Sequence, residues 1–175
     1  MKKGLVHIYT GNGKGKTTAC AGLALRMAGS GGRVLYSFMQ KGIESSEIRM
    51  LRSIAGIDVY QVCTIRKFSN LLNEEERVEY RRQHEEGLRE ISLRCKTGGY
   101  DMVIMDEAIG AINEKALGID EVLAFIKERP PECEVVLSGR NAPAGLIEAA
   151  DYVSEIMPLR HPFEKGISGR KGIEF

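Results

Sequence analysis

The chain is 175 residues long, with 25 Lys+Arg against 24 Asp+Glu, 43% hydrophobic and 28% charged residues. That length favours one domain, spanning residues 1–175, with an interior large enough for a sizeable core. The apolar fraction excludes wholesale disorder. A net charge of +1 and the absence of Trp leave neither a basic footprint nor an aromatic platform for nucleic acid.

Cys20, Cys63, Cys95 and Cys133 are widely spaced and form no zinc or CxxC pattern, so they read as small buried or half-buried thiols in a reducing compartment. No apolar run approaches membrane-spanning length, and the expectation is a cytoplasmic protein with no membrane partner. In chain order, Leu5–Tyr9 is a short β-prone run and Thr17–Ala28 is helical. Gly29–Gly32 breaks the chain before a second run, Arg33–Met39. Ser45–Ile54 reads as a short helix, Ile57–Val62 as a strand, and 63–72 as a loop.

A long charged helix is expected from Glu74 to about Cys95. Asn73 is its N-cap, three glutamates fill its first turn, and Leu88, Ile91 and Cys95 form an apolar edge. Tyr100–Met105 is the next strand, and Ile119–Arg129 is a helix stopped by Pro130-Pro131. Val135–Leu137 is a strand, Pro143–Ala150 a short helix and Tyr152–Ile156 a last strand. The tail from Met157 is basic and patternless. Alternating strands and helices, with near-continuous apolar strands, indicate an α/β fold: a mostly parallel sheet with helices on both faces. Met27, Met39, Met50, Met102 and Met105 are expected in its core.

Thr10-Gly11-Asn12-Gly13-Lys14-Gly15-Lys16-Thr17-Thr18 joins the first strand to the first helix. Glycines let successive N–H groups turn inward toward phosphate oxygens, and the helix adds the positive end of its dipole. Lys16 supplies a point charge and the Thr17 hydroxyl suits Mg²⁺. Thr10 stands where the usual spacing has Gly. Tyr100–Met105 runs into Asp106-Glu107, which puts two acids at the carboxyl edge of the sheet, where ligands of such sheets bind. Ser138-Gly139-Arg140-Asn141 follows a strand on that edge, so Arg140 is either a phosphate contact or part of a polar turn. Arg26 and the Glu/Arg mixture of 74–96 read as solvated helix faces, and His161 as a loop residue.

With these residues in place, the chain resembles the P-loop type ATP:corrinoid adenosyltransferases. The similarity rests on Tyr9–Ala19, Phe38–Gly42, Val103–Glu107, Ser138–Pro143, Ile147–Asp151, His161–Ile167 and Lys171–Glu174. Thr10 ahead of the glycines is that family's own variant of the loop. The resemblance implies a P-loop NTPase-like (RecA-like) sheet. It also implies transfer of the 5′-deoxyadenosyl group of ATP to the Co(I) centre of a reduced corrinoid, cobalamin or a cobyrinate-type precursor, with release of triphosphate.

Carried over by position, the resemblance has Gly11, Asn12, Gly13, Lys14, Gly15, Lys16, Thr17 and Thr18 bind triphosphate. Arg26 and Arg140 touch phosphates, Thr17 and Glu107 hold Mg²⁺, Lys16 and Glu107 are catalytic, and Asp106 is a supporting acid. An electron donor such as a flavoprotein and a homodimer are the implied partners. Where family members commonly show Gly-Phe-Thr-Trp after the third strand, this chain reads Val62-Cys63-Thr64-Ile65. Its corrinoid pocket must then differ in detail, with Ile65 and Phe68 offering apolar surface. The alternatives are a P-loop kinase or ATPase acting at the γ-phosphate, and a non-catalytic ATP- or corrinoid-binding module.

Overall fold

The computed structural model describes residues 3–39, 46–67 and 69–173. Its strands are β1 (Val6–Thr10), β2 (Val34–Phe38), β3 (Ile57–Gln61), β4 (Met102–Asp106), β5 (Glu134–Ser138) and β6 (Tyr152–Glu155). They form one sheet in the order β3-β2-β4-β5-β1-β6, and every pair is parallel. Parallel neighbours require crossovers, supplied here by α1 (Lys16–Gly29), α2 (Ser46–Leu51), α3 (Glu74–Thr97), α4 (Ala108–Asn113), α5 (Ile119–Glu128) and α6 (Ala144–Ala149). The α4 helix and the short 3₁₀ turn at Ser69–Leu71 are additions to the expected elements. Six apolar and small residues behind an acidic pair are too few to show a helical period.

Both faces of the sheet are covered, as the near-continuous apolar strands required. Leu35, Val103, Met105, Val135 and Leu137 pack on one side with Ile91 of α3, Ile109 of α4, Phe125 of α5 and Leu146 of α6. Val34, Tyr36, Met102, Ile104 and Val136 point the other way, onto Cys20, Ala21 and Ala24 of α1 and Ile48 and Leu51 of α2. The four cysteines are buried and free, and the Cys95 and Cys133 sulfurs lie 3.8 Å apart. Met39, Met102 and Met105 are core residues, but Met50 is 65% exposed because it lies on the solvent side of α2.

The α3 helix opens on a complete capping box. Asn73 Oδ1 accepts from the Glu76 N–H, and Glu76 Oε2 accepts from the Asn73 N–H. Its inner edge runs Tyr80, His84, Leu88, Ile91 and Cys95, while glutamate–arginine pairs one turn apart line the outside. Among the described residues the β6 strand pairs with β1 alone, and it is exposed throughout.

Candidate functional site

The sheet order decides where the site forms. β5 lies between β1, which carries the glycine-rich loop, and β4, which carries the acids. The last residue of β5, Ser138, therefore stands between the two motifs. Its hydroxyl donates to Asp106 Oδ1 at 2.5 Å and accepts from the Glu107 N–H at 2.9 Å. Asp106 is buried and also receives the Tyr36 hydroxyl at 3.1 Å and the Thr17 hydroxyl at 3.4 Å. Burial pushes the Asp106 carboxyl up from its ordinary range, and these three donors pull it partly back.

The loop from Gly11 to Gly15 closes over Lys16. The Lys16 ammonium is buried and donates to the Gly11 carbonyl at 2.7 Å and the Gly13 carbonyl at 2.9 Å. Burial lowers its pKa; Glu107 and Asp106 work against that, and Arg140 adds to it. Gly11 and Gly15 have φ of 98° and 121°, a region open to glycine and hostile to larger residues. Gly13 donates its N–H to the Ile156 carbonyl at 2.7 Å, and a Cβ on Gly13 would sit 2.7 Å from that same oxygen. The Thr10 hydroxyl accepts from the Ala142 N–H at 3.2 Å, tying the loop's first residue to the turn after β5.

The fold thus gathers Lys16, Thr17, Asp106, Glu107, Ser138 and Arg140 at the carboxyl edge of β1, β4 and β5. Glu107 opens α4 in the left-handed region, φ 62°, an uncommon conformation for a non-glycine residue that sets the course of the chain after β4. Asn12, Lys14, Thr18 and Arg140 are exposed, and the Arg140 carbonyl is held by Asn113 Nδ2 at 2.8 Å. Arg26 is exposed ten residues after Lys16, about 15 Å along α1, beside Tyr9. Ser138 and Tyr36 escaped sequence reasoning. A serine closing a buried strand next to the Gly139-Arg140 turn was the available signal for the first, and nothing marked the second.

In the stretch after β3, Val62 and Cys63 are buried and Ile65 packs against the core. The Thr64 N–H donates to Gln83 Oε1 at 2.9 Å. Phe68 lies outside the described residues, as does the Gln40-Lys41-Gly42 stretch of the resemblance.

Residues 2–175 match the profile of the ATP:corrinoid adenosyltransferase BtuR/CobO/CobP family. The chain belongs to that family. An Escherichia coli (strain K12) corrinoid adenosyltransferase is 30% identical over 174 residues, 99% of this chain and 87% of that protein. A Sinorhizobium corrinoid adenosyltransferase is 32% identical over 176 residues, covering 99% and 81%. Among solved structures, the flagellar accessory protein FlaH of Methanocaldococcus jannaschii superposes with a TM-score of 0.58 at 14% identity, over 89% of this chain and 72% of its own. That likeness shows the P-loop NTPase-like fold. As a member of the corrinoid adenosyltransferase family the chain is an enzyme, an ATP-using transferase that moves an adenosyl group to a corrinoid.

Proposed function

We propose that the protein transfers the 5′-deoxyadenosyl group of ATP to the Co(I) centre of a reduced corrinoid and releases inorganic triphosphate. The observation that carries this is the buried Lys16 ammonium inside a collar of loop carbonyls, next to Asp106, Ser138 and Thr17. In this reaction the cobalt electron pair forms a Co–C bond at C5′ while the C5′–O bond breaks and triphosphate departs with its electrons. No proton needs to move at the reacting carbon. Protein catalysis then consists of positioning and of stabilising the leaving anion. The Gly11–Thr18 amides and Lys16 cradle the triphosphate, and Arg140 adds charge from the turn after β5. Arg26 serves the nucleotide from α1.

Thr17 and Asp106 suit Mg²⁺: a hydroxyl touches a buried carboxylate at the phosphate edge, and Glu107 adds a second carboxylate nearby. Such an ion characteristically takes one or two carboxylates plus substrate phosphates and waters. Bound there, the ion would neutralise charge on the leaving group. An electron donor such as a flavoprotein would maintain the acceptor as Co(I), and the working unit would be a cytoplasmic homodimer.

The test is an anaerobic incubation with ATP, Mg²⁺ and a Co(I) corrinoid, reading the cobalt–carbon spectrum and the phosphate products together. Equal amounts of adenosylcorrinoid and triphosphate are expected. ADP and phosphate as the sole nucleotide products would point to γ-phosphate chemistry and end the proposal. Lys16→Ala should abolish ATP binding and turnover; an unchanged rate in that variant excludes the site.

A further inference from the structure

A cleft of about 320 Å³ opens between the Ser69–Leu71 turn, the first turns of α3 and the end of α4. Its floor is apolar, from the buried Leu72 and Ala116, and its rim carries Arg77, Arg81 and Lys115. Arg77 and Arg81 are four apart on one helix, so they share a face. The one carboxylate in the cleft among the described residues, Glu114, accepts the Tyr80 hydroxyl at 2.9 Å and the Ser69 hydroxyl at 2.7 Å. Those bonds hold it against the wall.

Neighbouring cations on α3 are treated differently. Arg82 is paired with Glu79 and Glu86, Arg89 with Glu85, and Arg94 with Glu90. Among the described residues no ion pair occupies Arg77, Arg81 or Lys115. Lys115 holds φ at 58° as the residue that ends α4: its N–H donates to the Ile112 carbonyl at 3.0 Å and the Ala116 N–H to the Ala111 carbonyl at 2.9 Å, which fixes the Lys115 side chain at the rim. Three cations against one hydrogen-bonded carboxylate, over an apolar floor, suit a ligand with carboxylate or phosphate oxygens on an apolar body.

The cleft is on the catalytic edge of the molecule. The Ser69–Leu71 turn follows β3, and Glu114 lies one short helix beyond Glu107, about 9 Å of α4. We infer that the cleft bounded by Arg77, Arg81 and Lys115 is an anion-binding subsite. It takes carboxylate or phosphate oxygens carried on the periphery of the corrinoid acceptor, or free as inorganic polyphosphate. The first source rests on the proposed function; the second does not.

The experiment is equilibrium titration of the full chain and of Arg77→Gln/Arg81→Gln with three probes. They are a corrinoid bearing free carboxylate arms, a fully amidated corrinoid without phosphate, and tripolyphosphate, the last in a Lys16→Ala background. Loss of at least about tenfold in affinity for the carboxylate corrinoid, with the amidated one unchanged, is expected. Arg77→Lys/Arg81→Lys should restore most of it. If only tripolyphosphate binding falls, the subsite stands and the corrinoid source is overturned. Equal losses for amidated and anionic corrinoids, or no loss for either anion, overturn the subsite. A wild-type protein that binds no corrinoid defeats the proposed function, while the tripolyphosphate arm still decides the cleft.

Discussion

Asp106 is buried, is touched by three hydroxyl donors and is nonetheless held above its ordinary pKa by burial. The folded chain keeps its proton to a higher pH than the unfolded chain does. This group's contribution to stability therefore rises as pH falls through the window between the two values and is unfavourable at neutral pH. Asp106→Asn is expected to raise the melting temperature of the nucleotide-free protein at pH 7, with the gap narrowing toward about pH 4. The same variant should lose Mg²⁺-dependent ATP binding. A lower melting temperature at pH 7 would show that the hydrogen bonds outweigh desolvation.

His84 presents the opposite sign. It is fully buried on α3, with Nδ1 2.7 Å from the Tyr80 carbonyl and Nε2 2.9 Å from the Met39 carbonyl. Burial lowers its pKa, while those carbonyls pull upward. A neutral ring carries one N–H, so one carbonyl faces a lone pair. With the folded value below the unfolded one, stability is lost as pH falls below about 6.5. Denaturant titrations at two pH values should show that loss, and His84→Gln should flatten it. An NMR titration placing His84 above 6.5 would show that the carbonyls prevail.

At the scale of elements, α3 was legible almost in full, since its cap, its glutamate-rich start and its apolar edge are local signals. Truncating that edge, Ile91→Ala, should cost about 2–5 kcal/mol by denaturant unfolding, because Ile91 is wholly buried between helix and sheet. The phosphate loop was equally plain in the chain, as spacing and context sufficed. What it leans on was not. Gly13 lies against Ile156, which is distant in sequence, and Gly13→Ala is expected to weaken ATP binding at least about tenfold while leaving the helices intact by circular dichroism. The α4 helix was illegible because its six residues depend on tertiary contacts rather than periodicity.

For the whole molecule, sequence reading reached a parallel sheet with helices on both faces but not the strand order, which depends on long-range pairing. That order matters, because placing β5 between β1 and β4 makes Ser138 the bridge between loop and acids. The departure at Val62–Ile65 also gains meaning from packing. Ile65 is turned partly into the core, so a bulkier Ile65→Trp should alter corrinoid reduction, read by the Co(II) spectrum, with nucleotide affinity preserved.

One support of the phosphate loop comes from the far end of the chain. The Ile156 carbonyl that anchors Gly13 follows an edge strand joined to the sheet on one side only, with a solvent-facing tail beyond it. Loosening β6 or the stretch that follows it would consequently be felt at the phosphate loop before it disturbed the core.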